Sequence, residues 1–386
     1  MLHKNIKILT WFNFFTDFIL YAPIAIIYFE RITGSYALGM SIFSITMVSS
    51  ALFEIPTGIF SDYIGRRKTL IYGALFSVIY SLFYAIGNSF FILAIGALFQ
   101  GLSRSFYSGN NDALLHSSLA ESHQENEYEE YLGRLSAMFQ ISAAIVAVIG
   151  SVLATWSFSL IMWLSVIPQI ICLILSFYIV EPKIQEKGEG NLYFHLHEAL
   201  KQFLHNKKLR LLSISSIVGY GIGEASYQFR SAFIATLWPL WAIGIVRFLS
   251  SIGAWISFHY SGRILKKFNS FNVLFFGSIY SQVINIFSLL FPTIFSPILM
   301  SSTSLLFGVE TVAENSLMQK EFQDKQRATM SSLNSLLGNL FFGVAATFLG
   351  YVADILSPGK ALLLSQLLVI PIIWIYWKLF KNYKTA

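Results

Sequence analysis

Three stretches of this 386-residue chain, 69–103, 135–180 and 268–309, contain no charged side chain. In hydrocarbon every backbone N–H and C=O must find a partner inside its own segment, so apolar runs this long fold as membrane-spanning helices. One span needs about 20 residues, and each run therefore holds two helices joined by a turn. The turns are expected at Gly87-Asn88-Ser89, Thr155-Trp156-Ser157 and between Pro292 and Pro297, where helix-breaking, water-tolerant residues cluster. With 55% apolar residues and 36 Phe, the chain carries more apolar surface than a water-soluble domain can hide.

Extending this reading along the chain gives twelve spans: 8–28, 37–60, 69–87, 90–115, 134–154, 158–180, 210–233, 238–260, 271–291, 296–319, 328–352 and 361–378. The start, MLHKNIKILTWFNFF, reads as a retained first helix, because its apolar stretch is long and lacks a small-residue cleavage site. Threaded from a cytoplasmic N-terminus, 21 of the 26 Lys and Arg fall at cytoplasmic ends and loops. Two, Arg31 and Lys360, fall outside, and three, Arg104, Arg230 and Arg247, fall within helices. That is the positive-inside bias, and it predicts a multi-pass protein of the cell (inner or plasma) membrane with both termini in the cytoplasm. The net charge of +6 thus reports topology, and nucleic acid is not an expected partner. Cys172, the one cysteine, sits in an apolar run and is read as a small packing residue.

The longest polar stretch, from Glu181 to Arg210, lies mid-chain. It divides an N-terminal six-helix bundle, residues 1–182, from a C-terminal one, residues 209–386, through a linker over 183–208. In that linker Leu192, Leu196, Ala199, Leu200, Phe203 and Leu204 share one helical face, predicting an amphipathic helix on the membrane surface. Its three histidines lack Cys or paired acidic companions, so no metal site is expected. The halves resemble each other. Ser118-Leu119 matches Ser316-Leu317 at an offset of 198, and Gly65-Arg66 matches Gly262-Arg263 at 197. The fold class is therefore all-α integral membrane, with two pseudo-symmetric six-helix bundles built as a duplication.

Charge inside a bilayer is costly unless it faces protein or water, so each intramembrane ionisable group marks a candidate site. Asp17 falls in the first span, Arg104 and Asp112 in the fourth, Glu224 and Arg230 in the seventh, Glu310 and Glu314 in the tenth. Every third helix carries them; Glu54 and Arg247 are the exceptions. Asn13, Asp17 and Tyr21 share a helical face, as do Arg104, Ser108 and Asn111, and Tyr220, Glu224 and Tyr227. These faces, with Arg230, are expected to line one aqueous substrate cavity. Glu310 and Glu314 stand one turn apart and would repel if both were ionised, which suits a proton-coupling site shared with Asp17. The plain alternative is that the charges pair with one another and only hold the bundle together.

The segment GIFSDYIGRRKTL, residues 58–70, falls between spans two and three. Its basic residues satisfy the positive-inside rule, but Asp62 at a helix C-terminus opposes the helix dipole and needs a partner. The pattern of Gly58, Asp62, Gly65, Arg66 and Arg67 resembles the signature loop of the major facilitator superfamily, with Tyr63 where that family usually has arginine. Twelve spans, a central linker and the degenerate copy SFHYSGRILKK after span eight extend the resemblance over the whole chain. The resemblance implies a cytoplasmic gate made by these residues, with helices one, four, seven and ten lining the cavity. Asp112 or Glu121 would answer the gate arginine. The EIPTG at Glu54 looks like a pattern of drug and metabolite exporters, whereas the proline-containing run usual in span five of antiporters is replaced by AAIVAVIGSVLA.

The expected function is secondary transport by alternating access: proton-coupled export of a small organic or amphiphilic molecule. Nutrient symport is the alternative within the class, and a membrane enzyme or sensor with a transporter body lies outside it. No Walker loop, HExxH helix or GxSxG elbow occurs, so the energy source is expected to be an ion gradient, with no cofactor. The expected partners are a small-molecule substrate and the lipid bilayer, with the chain acting as a monomer.

Overall fold

The computed structural model describes residues 2–121, 123–124, 127–182, 203, 206–322 and 327–383. Among them the regular structure is entirely helical. Two compact units form, Met1–Gly188 with Leu240–Ile245, and Glu189–Pro239 with Val246–Ala386. Of the predicted surface helix of the linker only Phe203 is described, packed against the core of the second unit; the rest lies outside the described residues.

In the first unit, α1 (Leu2–Thr16) is followed by a short 3-10 turn (Ala22–Ile24) and α2 (Ala25–Thr33). Then come α3 (Tyr36–Ile64), α4 (Arg66–Ala85), α5 (Phe90–Tyr107), α6 (Asn110–Ala120), α7 (Tyr128–Ala154) and α8 (Phe158–Tyr178). The second unit holds α9 (Lys207–Ile234), α11 (Ser270–Leu290), α12 (Ser296–Ser302), α13 (Ser304–Glu321), α14 (Arg327–Ile355), α15 (Pro358–Tyr383) and most of α10 (Leu240–Lys267). Several starts are capped as their sequences dictate: the side chains of Ser35, Ser157, Asn206 and Asn269 accept the amides of Leu38, Leu160, Leu209 and Phe271.

Nine helical segments among the described residues are long and apolar enough to cross a membrane unaided. The three expected spans that fall short are the first, seventh and tenth, which carry Asp17, Glu224 with Arg230, and Glu310 with Glu314. Two of these are also broken. The first stops at Thr16 and resumes after Pro23, whose ring and missing N–H prevent a continuous helix. The tenth breaks at Thr303 between α12 and α13. The fourth span breaks as well, at Ser108-Gly109, where Gly109 takes a left-handed φ of 68°. Interrupted helices free backbone polar groups at membrane depth, and those groups need protein or water beside them.

The two cores are built alike. In the first, Leu9, Leu70, Leu115, Leu119, Leu135 and Cys172 pack together from the first, third, fourth, fifth and sixth spans. In the second, Leu209, Leu274, Leu317, Met330 and Leu379 do so from the first, third, fourth, fifth and sixth spans of that half. Leu119 and Leu317, matched by the sequence repeat, occupy corresponding places in their cores. Cys172 is buried and free, as its apolar setting implied.

Candidate functional site

In the first unit the break after Thr16 leaves backbone carbonyls of α1 without helical partners. Gln169 of α8 lies against them, its Nε2 3.4 Å from both the Phe15 and Thr16 oxygens. Asp17 sits at this break, and Arg104 of α5 acts on it electrostatically without closing to ion-pair distance. The plain alternative, a structural Asp17–Arg104 bridge, is therefore not what forms. Asn111 donates to Asn13 at 3.3 Å, joining α6 to α1, and Ser108 donates to Glu54 of α3 at 3.4 Å. Glu54 thus belongs with the polar face from which the sequence pattern had separated it. Arg104 and Ser108 are exposed, while Asn13, Asp17, Asn111 and Glu54 are half-buried.

Tyr21 does not join this face. Because α1 ends before Asp17, the helical spacing from Asn13 to Tyr21 is lost, and Tyr21 turns into the core edge-on to Tyr84, ring centroids 5.7 Å apart. It is a packing residue.

In the second unit Tyr220 and Tyr227 are exposed along α9, with Glu224 between them. The Tyr220 hydroxyl donates to Asn339 of α14 at 3.2 Å, and Glu224 accepts from Gln228 at 2.6 Å. Arg230 donates to the Met300 carbonyl of α12 at 3.3 Å. Glu310 and Glu314 turn instead into the unit, toward α11 and α15. Tyr376 of α15 donates to Glu314 Oε1 at 3.1 Å. Glu310 Oε1 is buried with no hydrogen-bond partner, and it occupies the space a side chain would take at Gly277: a Cβ there would stand 2.0 Å from it. Among the described residues no cation pairs with either acid, and neither is bonded to Glu224 or Arg230. The structure thus brings the two acids to each other and to Tyr376, a residue the charge pattern had not singled out.

Removing the Tyr376 hydroxyl leaves a buried carboxylate oxygen without its donor. Tyr376→Phe is expected to lower unfolding stability by about 1–3 kcal/mol. Thermal unfolding in detergent checks this, and the loss should shrink in a Glu314→Ala background, where the acceptor is gone.

Where α9 starts and α13 ends, Lys208 binds Glu321 at 2.7 Å and Asn206 donates to its other oxygen at 3.0 Å. Burial pushes the Glu321 carboxyl up, but these two partners outweigh it and hold the group below the ordinary glutamate range.

The 58–70 segment is organised around Glu181, an acid to which the sequence pattern assigns no role. Gly65 adopts φ 96° and ψ 158°, a conformation open in practice only to glycine. The Glu181 carboxylate then accepts the amides of Arg66 at 2.7 Å and Arg67 at 2.8 Å, capping the positive end of α4. A Cβ on Gly65 would lie 2.8 Å from Glu181 Oε1. Around this cap, Arg66 donates to Ser61 at 3.1 Å, Ser61 to Asn110 at 3.0 Å, and Asn110 to the Arg66 carbonyl at 3.1 Å. Arg67 donates to the Phe177 carbonyl at the end of α8 at 3.0 Å. Asn5 fixes the chain just before Glu181, giving to and taking from Val180 at 2.9 and 3.0 Å.

This corrects part of the expected gate. Asp112 is exposed and makes no hydrogen bond or ion pair among the described residues; the Arg66 and Arg67 side chains bond Ser61 and the Phe177 carbonyl, and the acid that meets this loop, at its backbone amides, is Glu181. Gly58 has open space where a side chain would be, so it marks no close helix approach. The Asp62 side chain lies outside the described residues. Glu181 and Asn5 had a weak signal at best: an acid just before Pro182, where α8 has ended, and an amide in an apolar first helix.

The sequence matches the family model described as Major Facilitator Superfamily over residues 8–346. The chain belongs to the major facilitator superfamily. It is 22% identical over 337 residues to the MFS-type transporter YxaM of Bacillus subtilis (strain 168), covering 83% of this chain and 84% of that one. It is 21% identical over 365 residues to the MFS-type transporter MJ1560 of Methanocaldococcus jannaschii, covering 92% and 93%. A point mutant of the nucleoside transporter NupG superposes with a TM-score of 0.82 at 13% identity, over 97% of this chain and 100% of that one. A bacterial homologue of the human lysosomal transporter Spinster, inward-facing and unoccupied, gives 0.79 at 12% identity, over 99% and 97%. At such identities the structural matches establish the fold. As a superfamily member the chain is a multi-pass membrane transporter rather than an enzyme, acting on a small molecule in a bilayer.

Proposed function

We propose that this transporter works by alternating access and couples export of a small organic or amphiphilic molecule to protons. The observation that carries the proton assignment is the Glu310–Glu314 pair, held inside one unit with no cation among the described residues paired to it and with Glu314 tied to Tyr376. Two acids one turn apart in a low-dielectric setting cannot both stay ionised, so the pair takes up and releases a proton as its surroundings change. Asp17, beside the broken end of α1 and within the field of Arg104, is the corresponding acid of the first unit. The exposed Tyr220 and Tyr227 with half-buried Glu224 between them, and the face of Arg104, Ser108, Asn111 and Asn13, supply the substrate contacts. No bound cofactor is required, since the gradient supplies the energy. The protein acts as a monomer in the cell membrane.

The test is flux in liposomes holding the purified protein, over a broad compound panel, with and without an imposed pH gradient. Export coupling predicts at least one compound moving against the proton flow. Movement with the proton flow would establish a symporter, and no compound moving at all would overturn the transport assignment.

A further inference from the structure

Arg230 and Arg247 sit at the same end of the second unit, where α9 turns into α10. Arg230 lies one turn before the end of α9 at Ile234, and Arg247 two turns into α10. The two guanidinium groups act electrostatically on each other. Arg247 is only 8% exposed. One of its nitrogens, Nη2, donates to the Tyr227 carbonyl at 3.0 Å and to Ser231 Oγ at 2.9 Å, while the group lies 4.1 Å from the centre of the Tyr227 ring. Among the described residues Arg230 gives one hydrogen bond, to the Met300 carbonyl. The Nε of each arginine is buried with no partner.

A guanidinium presents five N–H donors and keeps its charge at any accessible pH. Together the pair offers ten N–H groups, of which the described residues take three hydrogen bonds. Neutral carbonyls, a hydroxyl and a π face soften one charge but cancel neither. A buried cation without an opposite charge is strongly unfavourable, and a second cation within its field makes it worse. No carboxylate among the described residues closes to ion-pair distance with either, and Glu224, on the turn of α9 toward its start, is engaged by Gln228 instead. What would balance the site is an anion from outside the chain.

We propose that Arg230 and Arg247 form an oxyanion-binding site, taking a carboxylate or phosphate group. As an account of the substrate this rests on the transport reading above, and it narrows the class to molecules carrying an acidic group. Planar guanidinium forks match the two-oxygen edge of such groups with two parallel hydrogen bonds, whereas a halide offers a single acceptor atom and no such edge. The same chemistry is offered by a free solute or by a phospholipid headgroup reaching in from the bilayer.

The experiment is thermal unfolding and equilibrium binding of the purified full chain in a neutral detergent. The probes are inorganic phosphate, benzoate and chloride at equal ionic strength, and micelles doped with phosphatidylglycerol or phosphatidylcholine. Phosphate or benzoate is expected to raise the unfolding midpoint, chloride not. Arg247→Gln or Arg230→Gln should weaken binding by about tenfold or more, and Arg230→Lys, which keeps the charge but loses the fork, by less. A response to phosphatidylglycerol alone, lost in the Gln variants, would assign the site to a headgroup. Absence of any oxyanion effect on the unsubstituted protein overturns the site whether or not the variants fold, as does an effect that the Gln variants retain. Binding here without flux in liposomes would overturn the transport reading and leave the site standing. Flux without binding would do the reverse.

Discussion

Glu310→Gln combined with Glu314→Gln is expected to reduce gradient-driven transport to the level of empty liposomes while leaving substrate exchange across the membrane intact. Glutamine keeps the shape and hydrogen-bonding capacity of the side chain but cannot give up a proton, so the step that links ion to substrate is lost and the binding step is not. Equal labelled substrate on both sides reports exchange, and an imposed pH gradient reports coupling. The unequal settings of the two acids predict unequal single variants. Glu314 is tethered by Tyr376, whereas Glu310 Oε1 is unbonded and fills the space left by Gly277. Gly277→Ala should therefore reproduce much of the Glu310→Gln defect without touching either acid, because the new methyl and the carboxylate cannot share one place. If Gly277→Ala couples normally, the packed position of Glu310 is irrelevant to coupling.

Gly65→Ala is expected to be the most damaging small substitution in the 58–70 segment, lowering stability by about 3 kcal/mol or more. A φ of 96° with ψ 158° costs a side chain about 1–3 kcal/mol. The added methyl would also push the Glu181 carboxylate off two amides, each charged hydrogen bond contributing about 1.5–3 kcal/mol. Glu181→Ala loses only the second part. The two substitutions should therefore be non-additive, with the double variant little worse than Gly65→Ala. Unfolding of the four proteins in detergent measures this. Additive losses would mean that the cap and the glycine conformation act separately.

Helix existence and order could be read from the chain because charge-free runs admit one kind of structure in a bilayer, and the ends fell within a few residues of expectation wherever Ser or Asn caps mark them. What escaped was continuity. Pro23 and Gly109 are ordinary loop signals, but inside apolar stretches they were absorbed into unbroken spans 8–28 and 90–115. The loss of Tyr21 from the polar face follows directly from the first of these. Of the site, the charged residues were visible because charge is rare in this chain. Their partners were not, since Gln169, Tyr376, Gly277 and Asn5 are neutral and become significant only through contacts more than 30 residues away in sequence. Glu181 carries no role in the sequence pattern, because an acid at the start of a polar stretch gives no sign that it folds back onto the start of α4.

Proton movement through the second unit is the step that drives the substrate. The direct measurement is uphill substrate movement in liposomes under an imposed pH gradient, with a pH-sensitive dye trapped inside. Substrate and protons are expected to cross in opposite directions in fixed ratio for the unsubstituted protein, with both signals absent in the Glu310→Gln, Glu314→Gln double variant. Substrate movement of the same rate with and without the gradient, unchanged in that variant, would contradict it.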